Sequence, residues 1–174
     1  MLPDPLHPAV VHLPIALSVL LPLGVITAFV LIRQGTNPRT AWGVVVGLTG
    51  LLLASSWVAV KSGEAQEEVV EDVVPKQWLK QHEERAQQFM VVGGLTLALA
   101  TLGLARGRLG RTGRALATVG VLALLPAAWR VGHSGGELVY THGAAEAHVA
   151  AAGARGDVTG PEHNRSQARP EDDQ

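Results

Sequence analysis

His7-Pro8-Ala9-Val10-Val11-His12-Leu13-Pro14-Ile15-Ala16-Leu17 sets two imidazoles and two prolines at the mouth of an apolar run that meets no Asp, Glu, Lys or Arg until Arg33. An imidazole is costly in hydrocarbon unless it is ligated or hydrogen-bonded. The stretch therefore marks the start of a membrane helix and a candidate site beside it. Three further runs without charge follow, Ala41 to Val60, Ala86 to Ala105 and Ala115 to Ala128. The first three runs of the chain are each near the roughly 20 residues a helix needs to cross a bilayer, and the last reaches that length with Trp129 to Gly132. The expected fold is an all-α four-helix transmembrane bundle over residues 1–149, with helices at about 8–32, 41–60, 76–105 and 114–132. Residues 150–174, rich in Gly, Ala, Pro and mixed charge, read as a disordered polar tail.

Composition supports that reading. Of 174 residues 47% are hydrophobic and only 17% charged, and the mean hydropathy is +0.22, a balance a soluble domain rarely shows. A secretory signal is disfavoured for the first run, which lacks a basic n-region, carries Asp4 and is long and proline-rich. A net charge of -1 gives no electrostatic case for nucleic acid as a partner. The absence of cysteine excludes disulfides, iron–sulfur ligation and covalent c-type haem. A bound metal must be held by His, carboxylate, Met or backbone, and histidine, with seven copies, is the leading donor.

The first helix is expected to start at Pro8, where a missing N–H costs nothing, and to bend at Pro14 and Pro22. Arg33 to Thr40 reads as a short loop, and Gly43, Gly47 and Gly50 read as close helix packing. Lys61 to Arg85 alternates acids with Val69, Val70, Val73 and Val74, the pattern of an amphipathic segment at the interface. Gly132-His133-Ser134-Gly135-Gly136 is expected to break the fourth helix, and Glu137 to Gly143 is too short to span again.

Four spans place both termini on one side. The two loops on the other side carry Arg33, Arg39, Arg106, Arg108, Arg111 and Arg114 and no acid. By the positive-inside rule those loops are cytoplasmic, which puts both termini in the periplasm of a bacterial inner membrane. His7 and His12, His82, and His133 and His142 then all fall at the outer level, from three helices. His148 and His163 lie farther toward the tail and are taken as idle. Side chains converging from several helices are the usual way a bundle holds a cofactor, and a haem takes axial ligands from two facing histidines. Ala16 and Ala86, one turn inward of His12 and His82, leave a ring face free. Lys80, Arg85 and Arg130 stand where propionates would meet water. His7 and His12, five residues apart, are about 140° apart around a helix and cannot share one face. Copper, zinc or iron held by several imidazoles, and plain hydrogen bonding or proton handling, remain the alternatives.

The amino-terminal HPAVVHLPIAL, the histidine ahead of the third helix and the closing GGELVYTHG resemble domain-of-unknown-function family 2231, bacterial four-helix membrane proteins, over roughly residues 5 to 145. By that resemblance the family's histidines fall on His7, His12, His82 and His142, with His133 outside the motif. Relatives fused to Rieske-type or cytochrome c-like domains imply a redox setting, and so a b-type haem with a separate electron partner. The expectation is one or two haems b, with His12 and His82 as one axial pair and His7 and His142 as a second pair or as outer donors. Such a chain would be an electron-transfer protein rather than a self-contained enzyme, in membrane lipid, with a homodimer left open. The competing expectation is a non-redox scaffold or a small-solute or proton pathway with structural histidines.

Overall fold

The computed structural model describes residues 7–71 and 73–154. Among them the chain is entirely helical, in the order α1 (His7–Val10), α2 (His12–Arg33), α3 (Pro38–Glu64), α4 (Glu67–Val70), α5 (Lys76–Leu102), α6 (Gly107–Tyr140) and α7 (Ala144–Ala154). Three stretches are long and apolar enough to cross a membrane, His7–Arg33, Pro38–Glu64 and Gly107–Tyr140. The remaining long helix, α5, opens with Lys76, Lys80, Glu83, Glu84 and Arg85 and becomes apolar only from Ala86.

Proline placement explains the opening break. The helix begins at His7, one residue before the expected start, stops at Val11 and resumes at His12. Pro14 sits in the first turn of α2, where its missing N–H is no loss, but its ring conflicts with the carbonyl four residues back and interrupts the path from α1. Pro22 lies inside α2. The α2–α3 turn is built by Gly35, with φ of 94°, whose N–H donates to the Ile32 carbonyl. Asn37 then caps α3, its side chain accepting from the Arg39 N–H with Pro38 at the first helical position.

Two expectations are corrected. Gly132 to Gly136 does not end the fourth helix, because α6 continues to Tyr140. Glycine weakens a helix by only about 1 kcal/mol, and burial of Ser134 and Leu138 holds this stretch in place. The basic segment 106–114 is not a loop either: the chain turns over Gly103 to Arg106 and residues 107–114 form the first turns of α6. The acidic stretch 61–85 contains the end of α3, the single turn α4 and the start of α5. Of the tail expected to be disordered, 150–154 belongs to α7 and 155–174 lies outside the described residues.

The long helices pack in the cyclic order α2, α3, α5, α6. Their shared core takes Leu17, Leu21 and Val25 from α2, Trp42, Val45 and Leu52 from α3, Phe89 and Ala100 from α5, and Ala117, Val121 and Leu124 from α6. Large apolar side chains such as Leu23, Ile26, Val91, Leu95, Val119 and Leu122 cover the outside, as a lipid-facing surface requires. Buried hydroxyls turn inward on their own helices: Ser18 donates to the Pro14 carbonyl, Thr49 to Val45, Ser56 to Leu52 and Thr96 to Val92. Among the described residues no buried side-chain polar atom lacks a partner, which is the condition for life in hydrocarbon. A second, smaller cluster of Val70, Val74, Leu138, Ala144 and Ala147, with Trp78 and Leu79 against it, seats α4 and α7 over one end of the bundle.

At the opposite end Trp42 is fully buried and its Nε1–H donates to the Ala100 carbonyl at 2.9 Å. That carbonyl lies in the last turn of α5, where helical donors run out. Trp42→Phe is expected to lower stability in detergent by about 1–3 kcal/mol through the unpaired carbonyl and the lost volume. A melting temperature within error of the parent would contradict this.

Candidate functional site: an imidazole pair between two helix hairpins

Two hairpins, α2–α3 and α5–α6, make up the bundle, and each presents one imidazole to the other. His7 on α1 lies against α3: its Nδ1–H donates to the Ala59 carbonyl at 2.8 Å, with Ser62 Oγ at 3.2 Å. The Ser62 hydroxyl donates to the same carbonyl at 2.8 Å. His82 on α5 lies against α6, where its Nδ1 is 2.9 Å from Ser134 Oγ. The Ser134 hydroxyl proton is directed to the Arg130 and Val131 carbonyls, at 3.1 and 3.0 Å, so its oxygen accepts from the His82 Nδ1–H. The Ala59 carbonyl can only accept and so holds His7 as the Nδ1–H tautomer, and with the Ser134 proton on a backbone carbonyl His82 takes the same tautomer, each with Nε2 left as a lone-pair donor to a ligand. This is the orientation that outer hydrogen bonds impose on ligating histidines.

The two ring centres are 6.5 Å apart and the rings stand at 89°. Each ring is seated over a glycine. A Cβ on Gly63 would come 3.2 Å from the His7 ring, and one on Gly135 would come 3.2 Å from His82 Cε1. A side chain at either place would press the imidazole out of position.

Two cavities meet at this pair. One, of about 610 Å³, opens toward α4 and α7 and has Glu64, Glu67, Glu83 and His148 on its wall. The other, of about 490 Å³, runs between α2 and α6 and is lined by His12, Ile15, Ser18, Ser56, Phe89 and Gly132 among others. Both include His7, His82, Ala86 and Gly135. The hairpins therefore separate at the His7–His82 end of the bundle to leave a slot, with an imidazole on each side.

The other residues singled out from sequence are placed differently. His12 is exposed on the wall of the second cavity, and the imidazole that faces His82 is His7, so the expected His12–His82 pairing is replaced by His7–His82. Val11 keeps helical dihedrals (φ −62°, ψ −22°) and His7–Arg33 continues as one span, so residues 7 and 12 stand about 140° apart around it and only His7 turns toward His82. His142 stacks on the Trp78 indole, 4.8 Å between ring centres, instead of pairing with His7. His133 is exposed, with Nδ1 3.5 Å from Glu137 Oε2 and its ring 6.0 Å from Trp129. Arg85 lies 3.9 Å from the same Glu137 oxygen, and Arg130 is exposed. Neither arginine belongs to a cavity wall. Ala86 lines both cavities, whereas Ala16 is exposed.

Sequence reading missed Ser62, Ser134, Gly63 and Gly135. The available signal was serine beside glycine twice, Ser62-Gly63 and Ser134-Gly135, each able to offer a hydroxyl and a bare backbone to one ring. Ser134→Ala is expected to weaken retention of a group bound through His82 by about 10- to 100-fold, and Ser134→Thr to restore it. Equal retention in all three proteins would remove Ser134 from this role.

A family model described as "Predicted membrane protein (DUF2231)" matches residues 3–148. No curated protein and no solved structure matches the chain.

Proposed function

Because the chain belongs to the DUF2231 family of membrane proteins, we propose that it is an electron-transfer protein of the bacterial inner membrane that holds one b-type haem between His7 and His82. The observation that carries the reading is the imidazole pair. Two imidazoles ligating one iron from opposite faces have ring centres about 6 Å apart, given metal–nitrogen bonds of about 2 Å, and His7 and His82 stand at 6.5 Å. Their Nδ1–H groups are already committed to α3 and α6, and the slot between the hairpins gives a flat ring somewhere to lie. A porphyrin needs only two ligands from the protein. Copper or zinc needs three or four, and among the described residues no group of three His, Cys, Asp or Glu is placed to hold a metal ion.

When bound, haem supplies a one-electron couple. The protein's share would be to orient His7 and His82 toward the group, exclude water with the apolar walls and tune the imidazoles through the Ala59 carbonyl and the Ser134 hydroxyl. Arg85 and Arg130 do not serve the propionates in this reading, since Arg85 is engaged by Glu137 and the outer cavity wall is acidic. The apolar part of α5 serves as a fourth span, lodged between α3 and α6 so that its Thr96 is buried, with Gln87 on the wall of the first cavity. The Arg-bearing α2–α3 and α5–α6 turns face the cytoplasm, and the imidazole end faces the periplasm, where a Rieske-type or cytochrome c-type chain is the electron partner.

The experiment is an absorption spectrum. Protein purified in detergent from haem-replete cells is expected to show a Soret band and a reduced α-band at about one haem per chain, and a colourless preparation overturns the reading. One observation favours a second reading, a proton or small-cation pathway. Glu64, Glu67 and Glu83 join His7, His82 and His148 around one cavity. That reading expects histidine variants to melt earlier with no change in bound iron.

A further inference from the structure

The cavity between α2 and α6 extends below the imidazoles. Phe89, on its wall, is seven residues beyond His82, about 10 Å deeper along α5 at helical rise. At that depth the polar atoms on the wall are the hydroxyls of Ser18 and Ser56. Each hydroxyl proton is spent on its own helix, Ser18 to the Pro14 carbonyl at 2.8 Å and Ser56 to the Leu52 carbonyl at 2.7 Å. What the two oxygens offer a guest is lone pairs, and the imidazoles above, with Nδ1–H committed elsewhere, offer the same. Donors on the wall, His12 and Tyr140, stand at its mouth, so the inner end offers acceptors and favours a ligand that donates hydrogen bonds there over one that only accepts.

The mouth points to where such a ligand comes from. His12, Ile15, Val139 and Tyr140 at the α2–α6 edge are exposed, among a surface of large apolar side chains. In a bilayer this edge meets lipid, so the ligand arrives from the membrane. Gly132 and Gly136 leave one wall bare: both line the cavity, and a Cβ on either would meet nothing within 4 Å. The opposite side carries the Phe89 ring. Apolar walls, a bare face, an aromatic contact and two acceptors on adjacent helices describe a site for a flat ring bearing two hydroxyls, and the volume is within the usual range for small-molecule pockets.

We propose that this cavity binds the ring of a membrane-soluble hydroquinone, its hydroxyls donating to Ser18 Oγ and Ser56 Oγ. The inference goes beyond the haem reading, because it stands on this cavity and its acceptors whatever the imidazoles hold.

The test is calorimetric titration of the full chain in detergent micelles with decylubiquinol and, separately, decylubiquinone. Saturable binding of the reduced form is expected, at least tenfold tighter than of the oxidised form. Ser18→Ala with Ser56→Ala should weaken the reduced form at least tenfold and change the oxidised form by less than twofold. Gly132→Leu, whose side chain grows into open space and leaves the fold intact, should abolish binding of both. Equal affinity for the two redox forms, binding indifferent to Gly132→Leu, or displacement of decylubiquinol by an equimolar fatty alcohol such as 1-dodecanol overturns the proposal. Hydroquinone binding without a Soret band removes the haem reading alone. A Soret band with hydroquinone bound no better than quinone removes this one alone.

Discussion

His82→Ala purified in detergent is expected to be colourless, with haem content reduced at least tenfold, and His7→Ala is expected to match it. His12→Ala and His142→Ala are expected to keep the full Soret band. The contrast follows from position. His7 and His82 face one another at 6.5 Å across the slot, each oriented by a hydrogen bond to the helix behind it. A haem held there would lose one of the two imidazoles that would ligate it, and the remaining one would retain it poorly. His12 is exposed on the cavity wall and His142 is stacked on Trp78, so removing either leaves His7 and His82 in place. Pyridine haemochrome assay on the four variants reads the result directly. Loss of haem on His12→Ala with retention on His7→Ala would falsify the assignment. A uniform fall in melting temperature without any change in bound iron would favour the pathway reading instead.

A second large effect lies at the other end of the molecule and concerns stability alone. Gly113→Ala is expected to destabilise the protein by about 3 kcal/mol or more, and Gly110→Ala by at least as much. A Cβ on Gly113 would come 2.6 Å from the Gly103 nitrogen and 2.7 Å from the Leu102 carbonyl carbon, and one on Gly110 would strike the Ala105 carbonyl oxygen. These are main-chain atoms of the α5–α6 turn, which Arg114 and Arg39 tie down further through the Gly103 and Leu104 carbonyls. A flexible side chain could move aside, but this backbone cannot without opening the hairpin. Gly47→Ala in α3 is the control. Its Cβ meets nothing within 4 Å, so the substitution should be neutral or stabilising by up to about 1 kcal/mol from helix propensity alone. Thermal melts followed by circular dichroism in one detergent compare the three. A Gly113→Ala melting point equal to that of Gly47→Ala would mean the turn is looser than its geometry.

The arginine-bearing end of the bundle illustrates how one residue serves two purposes. Arg39 and Arg114 belong to the basic set that argues for topology, and in the folded chain they also satisfy carbonyls where α5 ends. Their charge was readable from the sequence, but their hydrogen-bonding role required the neighbouring helix end to be in place.

Four long helices, and the gathering of the histidines toward one end of them, could be read from the chain alone, because hydropathy and rise per residue are local properties that no distant contact overrides. The site was legible only as a set of candidates. Which imidazole faces His82 depends on the rotation of the first span about its axis and on the cyclic order of helices, neither of which is written in any one segment. The same holds for Ser134 and Gly135. In sequence they look like a helix breaker, because glycine propensity is weak information, and only packing against α5 turns the pair into a hydroxyl and a seat for His82. Local chemistry determined that imidazoles stand at one end of the membrane helices; long-range packing decided which two of them share a slot, since that choice belongs to the geometry between helices and not to any helix by itself.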